Sequence, residues 1–200
     1  TGQTLGAAEA VAIGLADGKV HSSQLPTLWE GLTGQSWPNG AAVLHWLRSQ
    51  VDTQKPPAPV WQHSHMQQVF ALPTVMAMLD ALTTLSQGPG PHAPWAQSTL
   101  DVLHHRSPLM LCVVLEQIRR ARGITLAEDL RMERNMVRHC FHHRPLADSE
   151  TVEGIRALAV DKDKQPKWKP QRVSEVDATE VGSFFNQPWP AHAHPLRGLT

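Results

Sequence analysis

The sequence predicts a mainly α-helical fold with at most one short strand, near Val20. Three observations support this prediction. From Leu25 onward apolar residues recur at helical spacing, helix-starting and helix-stopping residues flank these stretches, and no segment alternates apolar and polar residues over more than a few positions. With 200 residues, 41% of them hydrophobic, the chain is long enough to bury a core.

The opening segment predicts a short helix, then a turn and a brief strand. Thr4 is available as an N-cap, the alanines that follow favour a helix, and Gly14 is placed to stop it. Residues 15–20 then predict a turn that leads into the strand at Val20. Because nothing downstream has strand periodicity, we expect this strand to have no partner within the chain.

The middle of the chain predicts short helices separated by loops. Helices are expected over 40–49, 61–70 and 73–85. Prolines at 56, 57 and 59 predict an extended linker, and the Gly-Pro repeats of 87–91 predict a loop.

The segment from Ser107 carries the strongest helical signals. Ser107-Pro108 predicts a capped helix start, and Gly123 is expected to end that helix in a left-handed conformation. A capping box at Thr125 and Glu128 predicts the start of a second helix. The apolar faces expected to be buried are Leu111, Val114, Leu115 and Ile118 on the first helix, and Leu126, Leu130, Val137, Cys140 and Phe141 on the second.

The last third predicts two more helices. Ser149 is expected to cap a helix over 151–161, which runs into a charged segment, and a final short helix is expected over 174–185, before a proline-rich tail.

Composition excludes several functional classes. Eighteen basic and eighteen acidic residues leave no net charge, which disfavours a nucleic-acid partner. No apolar run approaches the roughly 18 residues of a membrane helix, so no membrane partner is expected. The two cysteines predict free thiols in a reducing compartment. The chain opens at Thr1 without a methionine or a signal peptide, and we expect this start to be a cut within a longer protein.

Histidines close to Cys140 suggest a metal site only weakly. The most suggestive group is His139, Cys140, His142 and His143, because His139 and His143 are four residues apart and can share a helical face. A zinc site normally needs a third and a fourth ligand as well, and the spacings of His63/His65 and His104/His105 place each of those pairs on different helical faces. A solvated helix end is the favoured interpretation, as it is for His192 and His194 in the tail. Cys140 lacks an orienting third group and is expected to be a core cysteine. No common catalytic motif is present, so no catalytic residue is predicted in this chain.

Two stretches of the sequence carry residue patterns more specific than helix signals. They comprise Thr1-Gly2, Leu5, 8–10, 13–17 and Val20, then 107–109, 126–127, 130–133, 152–157 and 161–168. These patterns resemble the enoyl-CoA hydratase/isomerase (crotonase) superfamily: the opening resembles the segment after its catalytic core, and the second half resembles its 3-hydroxyisobutyryl-CoA hydrolase branch. Glu150-Thr151 replaces an acidic–aromatic pair of that branch, which leaves the acyl substrate open.

The resemblance implies the helical C-terminal region of a crotonase-like α/β acyl-CoA enzyme, most like a 3-hydroxyisobutyryl-CoA hydrolase, which hydrolyses a thioester, or a related enoyl-CoA hydratase/isomerase. Residues 1–24 would end the core, 25–106 would be a helical insertion, 107–187 the C-terminal helical region and 188–200 an extended tail. The expected partners are the N-terminal crotonase core, in the same or a companion chain, a CoA thioester as substrate, and in some cases a second copy in a homo-oligomer. The family's oxyanion hole and acids would lie upstream, so this chain alone is expected to be inactive on thioesters.

The resemblance also implies a role for three lysines and a cellular setting. Lys162, Lys164 and Lys167 are candidates for contact with the phosphates of CoA, and the competing interpretation is a solvated charged turn anchored by Trp168. No metal or redox cofactor is implied. The expected location is the bacterial cytoplasm, or the mitochondrial matrix in a eukaryote.

Two further functional hypotheses remain open. The chain can be a non-catalytic helical assembly module derived from such an enzyme. The third hypothesis is a metal-binding helical domain.

Overall fold

The computed structural model of the protein describes residues 1–2, 4–54, 56–57 and 64–199. Ten α-helices lie within this part of the chain, which confirms the mainly helical class. The chain forms two compact units, Thr1–Gln67 and Gln68–Thr200.

The first unit contains three helices. They are α1 (Ala7–Ala12), α2 (Leu25–Thr33) and α3 (Gly40–Gln50), and a 3₁₀ turn, Ser22–Gln24, precedes α2. Gly14 follows α1 with φ +80°, a conformation that glycine adopts without steric cost. The predicted stop at this glycine is therefore confirmed, but the N-cap is Gly6, whose amide donates to the Glu9 carboxylate at 2.8 Å, and not the predicted Thr4.

A single antiparallel bridge takes the place of the expected strand. Lys19 and Asp52 exchange two backbone hydrogen bonds of 2.9 Å, and the Lys19 Nζ lies 3.2 Å from the Asp52 carboxylate. The expectation that this segment has no partner within the chain is wrong. A single bridged pair forms without a run of alternating apolar and polar residues. The periodicity of the sequence therefore does not predict it.

Two tryptophans determine how α2 and α3 pack. The Trp37 and Trp46 rings lie 5.4 Å apart, and the Trp37 indole donates a hydrogen bond of 2.9 Å to the Leu32 carbonyl at the end of α2. Gly31 lies directly against the Trp46 ring, since an added Cβ would be 2.6 Å from it. The absence of a side chain at Gly31 therefore lets the two helices approach.

Helix α4 spans Ser64–Phe70, so that its last three residues belong to the second unit. The two helices that follow, α5 (Val75–Gln87) and α6 (Ala93–His104), pack against each other. The predicted linker at 55–59 lies largely outside the described residues, as does the predicted helix start at 61–63. Leu82 of α5 and Ala96 of α6 are fully buried in the first core cluster. The predicted helix over 73–85 and the loop after it are confirmed within two residues.

Helices α7 (Pro108–Ala121) and α8 (Leu126–His142) begin as their caps predict. The Ser107 hydroxyl accepts a hydrogen bond from the Met110 amide at 3.1 Å, and Thr125 and Glu128 form the predicted capping box. Gly123 is not left-handed, contrary to the prediction: within the described residues, positive φ occurs at a glycine only at Gly2 and Gly14.

The buried faces of α7 and α8 differ from the predicted ones. Leu109 and Val113 of α7 pack with Met136 of α8 in the second core cluster. Of the predicted stripes, Leu111 and Leu115 are partly buried against the first core cluster and Cys140 against the second. The other predicted positions are exposed: Val114 46%, Ile118 51%, Leu126 74%, Leu130 36%, Val137 52% and Phe141 38%. The returning chain, with Phe184, covers the Leu109 and Val113 side of α7 rather than the side that carries Val114 and Ile118.

The predicted helix over 151–161 is confirmed within one residue, whereas the last predicted helix is shorter. Helix α9 spans Glu150–Ile155 and continues into a π-helical turn, Arg156–Val160. In place of one helix over 174–185 there is a 3₁₀ turn, Val173–Glu175, followed by α10, Ala178–Ser183.

The tail packs against α8 and includes a 3₁₀ turn, Ala191–Ala193. His194 is 3% exposed and bonds to Asn135 at 3.0 Å, so the expectation that it is solvated is wrong. The Arg131 guanidinium holds the Leu196 carbonyl at 3.1 Å. Burying these polar groups is tolerated because each has a partner.

Candidate functional site

The charged segment 161–170 follows the π-helical turn and is fixed by one arginine. Arg156 donates from Nη1 to Asp161 at 2.6 Å and to Asp163 at 2.7 Å, and it forms a paired interaction with Glu153 at 2.8 and 2.9 Å. It also reaches the Gln165 carbonyl at 3.1 Å. One guanidinium therefore cross-links the helix to three points of the segment, which its planar array of donors permits.

Further bonds attach the other end of the segment. The Glu153 carboxylate accepts from the Lys167 amide at 2.7 Å, and the Trp168 indole donates to the His105 carbonyl at 3.2 Å. The Trp168 ring also lies against Gly154, where a Cβ would be 3.3 Å away. Trp168 therefore anchors the segment.

The three lysines singled out from the sequence lie on this fixed segment. Lys162, Lys164 and Lys167 are exposed, and Lys162 and Lys164 have φ of 58° and 56°. Left-handed conformations are costly for lysine, and the Arg156 contacts on either side hold the backbone there. Among the described residues, no carboxylate pairs with these ammonium groups within 4.0 Å. Arg156 pairs with Glu153, Asp161 and Asp163, so these four groups carry two negative charges and the three lysines leave the segment with one net positive charge.

Hydrogen bonds to Arg156 and to the Lys167 amide lower the pKa of Glu153 to about 2. The backbone amide of Gln165 and the Arg156 guanidinium lower the pKa of Asp163. Both carboxylates are therefore ionised at neutral pH, which keeps the Arg156 cross-link charged on both sides.

A buried carboxylate joins this segment to the start of α7. Glu150 is 7% exposed, and it accepts hydrogen bonds from the Ser107 hydroxyl and, at 2.7 Å, from the Lys169 amide. Burial raises the pKa of Glu150, against the opposing effect of these bonds. The nearest cation is Arg144, whose Nη1 lies 3.8 Å away.

Arg144 is shared between two carboxylates and the backbone. Its Nε and Nη2 bind Glu180 of α10 at 2.5 and 2.6 Å, and its Nη1 donates to the Lys169 carbonyl at 2.5 Å. The hydrogen bonds to Glu180 raise the pKa of Arg144. Arg144 therefore ties α10 to the charged segment.

Two histidines near Cys140, His139 and His143, form an edge-to-face ring pair rather than a ligand set. The rings of His139 and His143 lie 5.8 Å apart, edge to face, and His143 Nε2 is 3.1 Å from the Ser183 hydroxyl. Burial lowers the pKa of His143. Within the described part of the chain, no three His, Cys, Asp or Glu side chains are close enough to hold a metal ion. Cys140 and Cys112 are both free and half-buried.

Sequence reasoning found the three lysines and Trp168 but missed Glu150, Arg144 and Arg156. In the sequence, Glu150 marks only a departure from a family motif. A glutamate directly after an N-cap usually complements the helix dipole at the surface, so its spacing gives no sign of burial. Arg156 follows Glu153 by three residues, a spacing that is common for exposed helix pairs.

Comparisons with known proteins identify the family. The family model "Enoyl-CoA hydratase/isomerase" matches residues 1–185, and the chain belongs to this family. A carnitinyl-CoA dehydratase from Mycobacterium thermoresistibile superposes with a TM-score of 0.66 at 28% identity, over 92% of this chain and 48% of the other.

Two curated relatives show which individual proteins this chain is similar to. The mitochondrial 3-hydroxyisobutyryl-CoA hydrolase of Dictyostelium discoideum is 36% identical over 121 residues, which are 60% of this chain and 29% of that protein. The small ribosomal subunit protein mS47 of Arabidopsis thaliana is 29% identical over 187 residues, which are 92% of this chain and 45% of that protein. The chain thus spans about half or less of the length of these relatives. No described helix is both long and apolar enough to cross a membrane.

Proposed function

We propose that this chain is the helical region of an acyl-CoA enzyme most like a 3-hydroxyisobutyryl-CoA hydrolase. In this proposal, Lys162, Lys164 and Lys167 contact the phosphates of the CoA thioester. The observation that carries it is the lysine segment, which Arg156 fixes in place and whose three exposed ammonium groups pair with no carboxylate of the described residues. A family that acts on CoA thioesters gives such a segment a natural ligand.

In this proposal, the crotonase core and this chain have different roles in the reaction. The acids and the oxyanion hole that activate the thioester would lie in the crotonase core, in the same or a companion chain. This chain would supply binding energy to a part of the substrate remote from the reacting carbonyl. Such remote binding is useful in catalysis because it holds the thioester in position for the reaction. No metal or redox cofactor is required for hydrolysis by this route.

The test measures CoA affinity in the intact protein by isothermal titration calorimetry. Replacing Lys162, Lys164 and Lys167 together by alanine is expected to weaken CoA binding roughly tenfold, since each exposed ion pair contributes about 0.2–1 kcal/mol. Raising the salt concentration should reduce the difference between the variant and the wild type.

Lys169 provides a matched control. It lies in the same segment, but its Nζ already binds Asp148 at 2.7 Å. Replacing Lys169 by alanine is expected to leave CoA affinity within twofold of the wild type. Unchanged CoA affinity in the triple variant would refute the role of the three lysines.

A non-catalytic assembly module is the second candidate, favoured by the similarity to a ribosomal subunit protein. The two candidates separate in the intact protein. Release of free thiol from an acyl-CoA, together with a CoA-dependent rise in melting temperature, supports the enzyme. Neither response, with a catalytic core present, supports the assembly module.

A further inference from the structure

A cavity that is separate from the lysine segment opens between α5, α7 and α10. Its volume is about 490 Å³, within the range of roughly 300–1,000 Å³ that is usual for small-molecule sites. Apolar side chains form most of its wall, among them Val75, Leu115, Val176 and Val181. None of the residues used in the proposed CoA contact lines it.

The charged groups of this cavity are all on α7. Glu116, Arg119 and Arg120 line it, so their charges sum to one positive charge. Arg119 donates to the Pro73 carbonyl, which ties α7 to the start of α5. The wall is thus held in place by a bond between two helices.

Arg120 retains donors for a ligand. Its Nε binds Glu116 at 2.8 Å, and its guanidinium lies 4.2 Å from the centre of the Phe185 ring. In the described part of the chain, the hydrogen bonds of Arg120 use only Nε, and the two Nη groups remain for an acceptor. A guanidinium held by an aromatic ring and a carboxylate is preorganised to bind a carboxylate or phosphate.

We propose that this cavity binds an amphipathic carboxylate, with its alkyl chain against the valines and its carboxylate on Arg120. A methylene group occupies about the volume of a water molecule, roughly 30 Å³, so a chain of about ten carbons fits the cavity. Apolar burial supplies most of the affinity, and the arginine selects a negative head group over a neutral or positive one.

Cys112 provides a direct readout of occupancy. It lines this cavity, whereas Cys140 lines a different and far smaller one, and both thiols are free and half-buried. In the purified protein, the alkylation rates of both cysteines can be followed by peptide mass spectrometry. Decanoate, below its micellar concentration, is expected to slow alkylation of Cys112 at least fivefold and to leave Cys140 unchanged. Decanol and decyltrimethylammonium are expected to protect Cys112 far less at the same concentration.

A substitution at Arg120 tests whether this side chain binds the carboxylate of the ligand. Arg120→Gln is expected to raise the protective decanoate concentration roughly tenfold, because one charge-assisted hydrogen bond is lost. Arg122→Gln, an exposed position two residues further on that does not line the cavity, is the matched control and should leave it unchanged.

Gly182→Met is designed to fill the cavity. Gly182 lines it and has open space around the position of a Cβ, so the variant should fold, as a thermal melt will show, and lose decanoate protection. Equal protection of both cysteines, equal protection by the three amphiphiles, or no protection by decanoate would each overturn the proposal.

Discussion

Replacing Glu150 by alanine is expected to destabilise the second unit by about 3 kcal/mol. The Glu150 carboxylate is the acceptor for the Ser107 hydroxyl, which caps α7, and for the Lys169 amide at 2.7 Å. At 7% exposure, water does not readily replace it. Each buried donor left without an acceptor costs about 1–3 kcal/mol, and removing the buried carboxylate returns part of that cost.

The glutamine variant separates hydrogen bonding from charge. Glu150→Gln keeps an oxygen that accepts the hydrogen bond of the Lys169 amide. Its amide nitrogen lies beside the Ser107 hydroxyl oxygen, which can accept a hydrogen bond from it. Its expected cost is about 1 kcal/mol at neutral pH. Glu133→Ala, an exposed glutamate on α8, is the control and should change stability by less than about 0.5 kcal/mol.

The pH dependence of the unfolding free energy tests how burial changes the protonation of the Glu150 carboxylate. Burial raises its pKa above the ordinary 4.5, so the folded protein holds this proton more tightly than the unfolded chain does. The contribution of this group to unfolding free energy is therefore largest below pH 4.5 and falls as pH rises through the raised pKa. The stability advantage of the wild type over Glu150→Gln should shrink across that window.

Urea denaturation followed by circular dichroism, repeated across this pH range, measures these differences. A Glu150→Ala variant within about 0.5 kcal/mol of the wild type would refute the linking role of this carboxylate. A wild-type advantage over Glu150→Gln that grows with pH would refute the direction of its pKa shift.

Three further predictions concern packing and charge. Leu109→Ala, at a fully buried position, should cost about 2–5 kcal/mol in urea denaturation, whereas Leu126→Ala, 74% exposed, should cost less than about 1 kcal/mol; equal effects would contradict the assigned core. Gly31→Ala should lower the thermal stability of the first unit despite the better helix propensity of alanine, because its Cβ would meet the Trp46 ring at 2.6 Å; a rise in melting temperature would refute this packing. The lowered pKa of Glu153, about 2, gives stability that is present above pH 4.5 and lost as pH falls towards 2, so acid titration of Glu153→Gln should lack that loss; a profile like the wild type would contradict it.

Local signals in the sequence determined the helix starts and the general class. Ser107 and Thr125 cap their helices as predicted, because a cap depends only on residues within one turn. The family resemblance likewise rested on contiguous residues, and the family match over residues 1–185 bears it out. The lysine segment was found in the same way, and its role in CoA binding stays a prediction.

Tertiary structure alone decided which apolar face is buried and which charges are paired. Val114 and Ile118 have the same spacing as a core stripe, yet the core forms at Leu109 and Val113, where Phe184 returns from more than seventy residues away. The linking role of Glu150 depends on Lys169, 19 residues further along the chain, and on Ser107, 43 residues before it. Periodicity gives the faces of each helix, but only the path of the rest of the chain determines which face it covers.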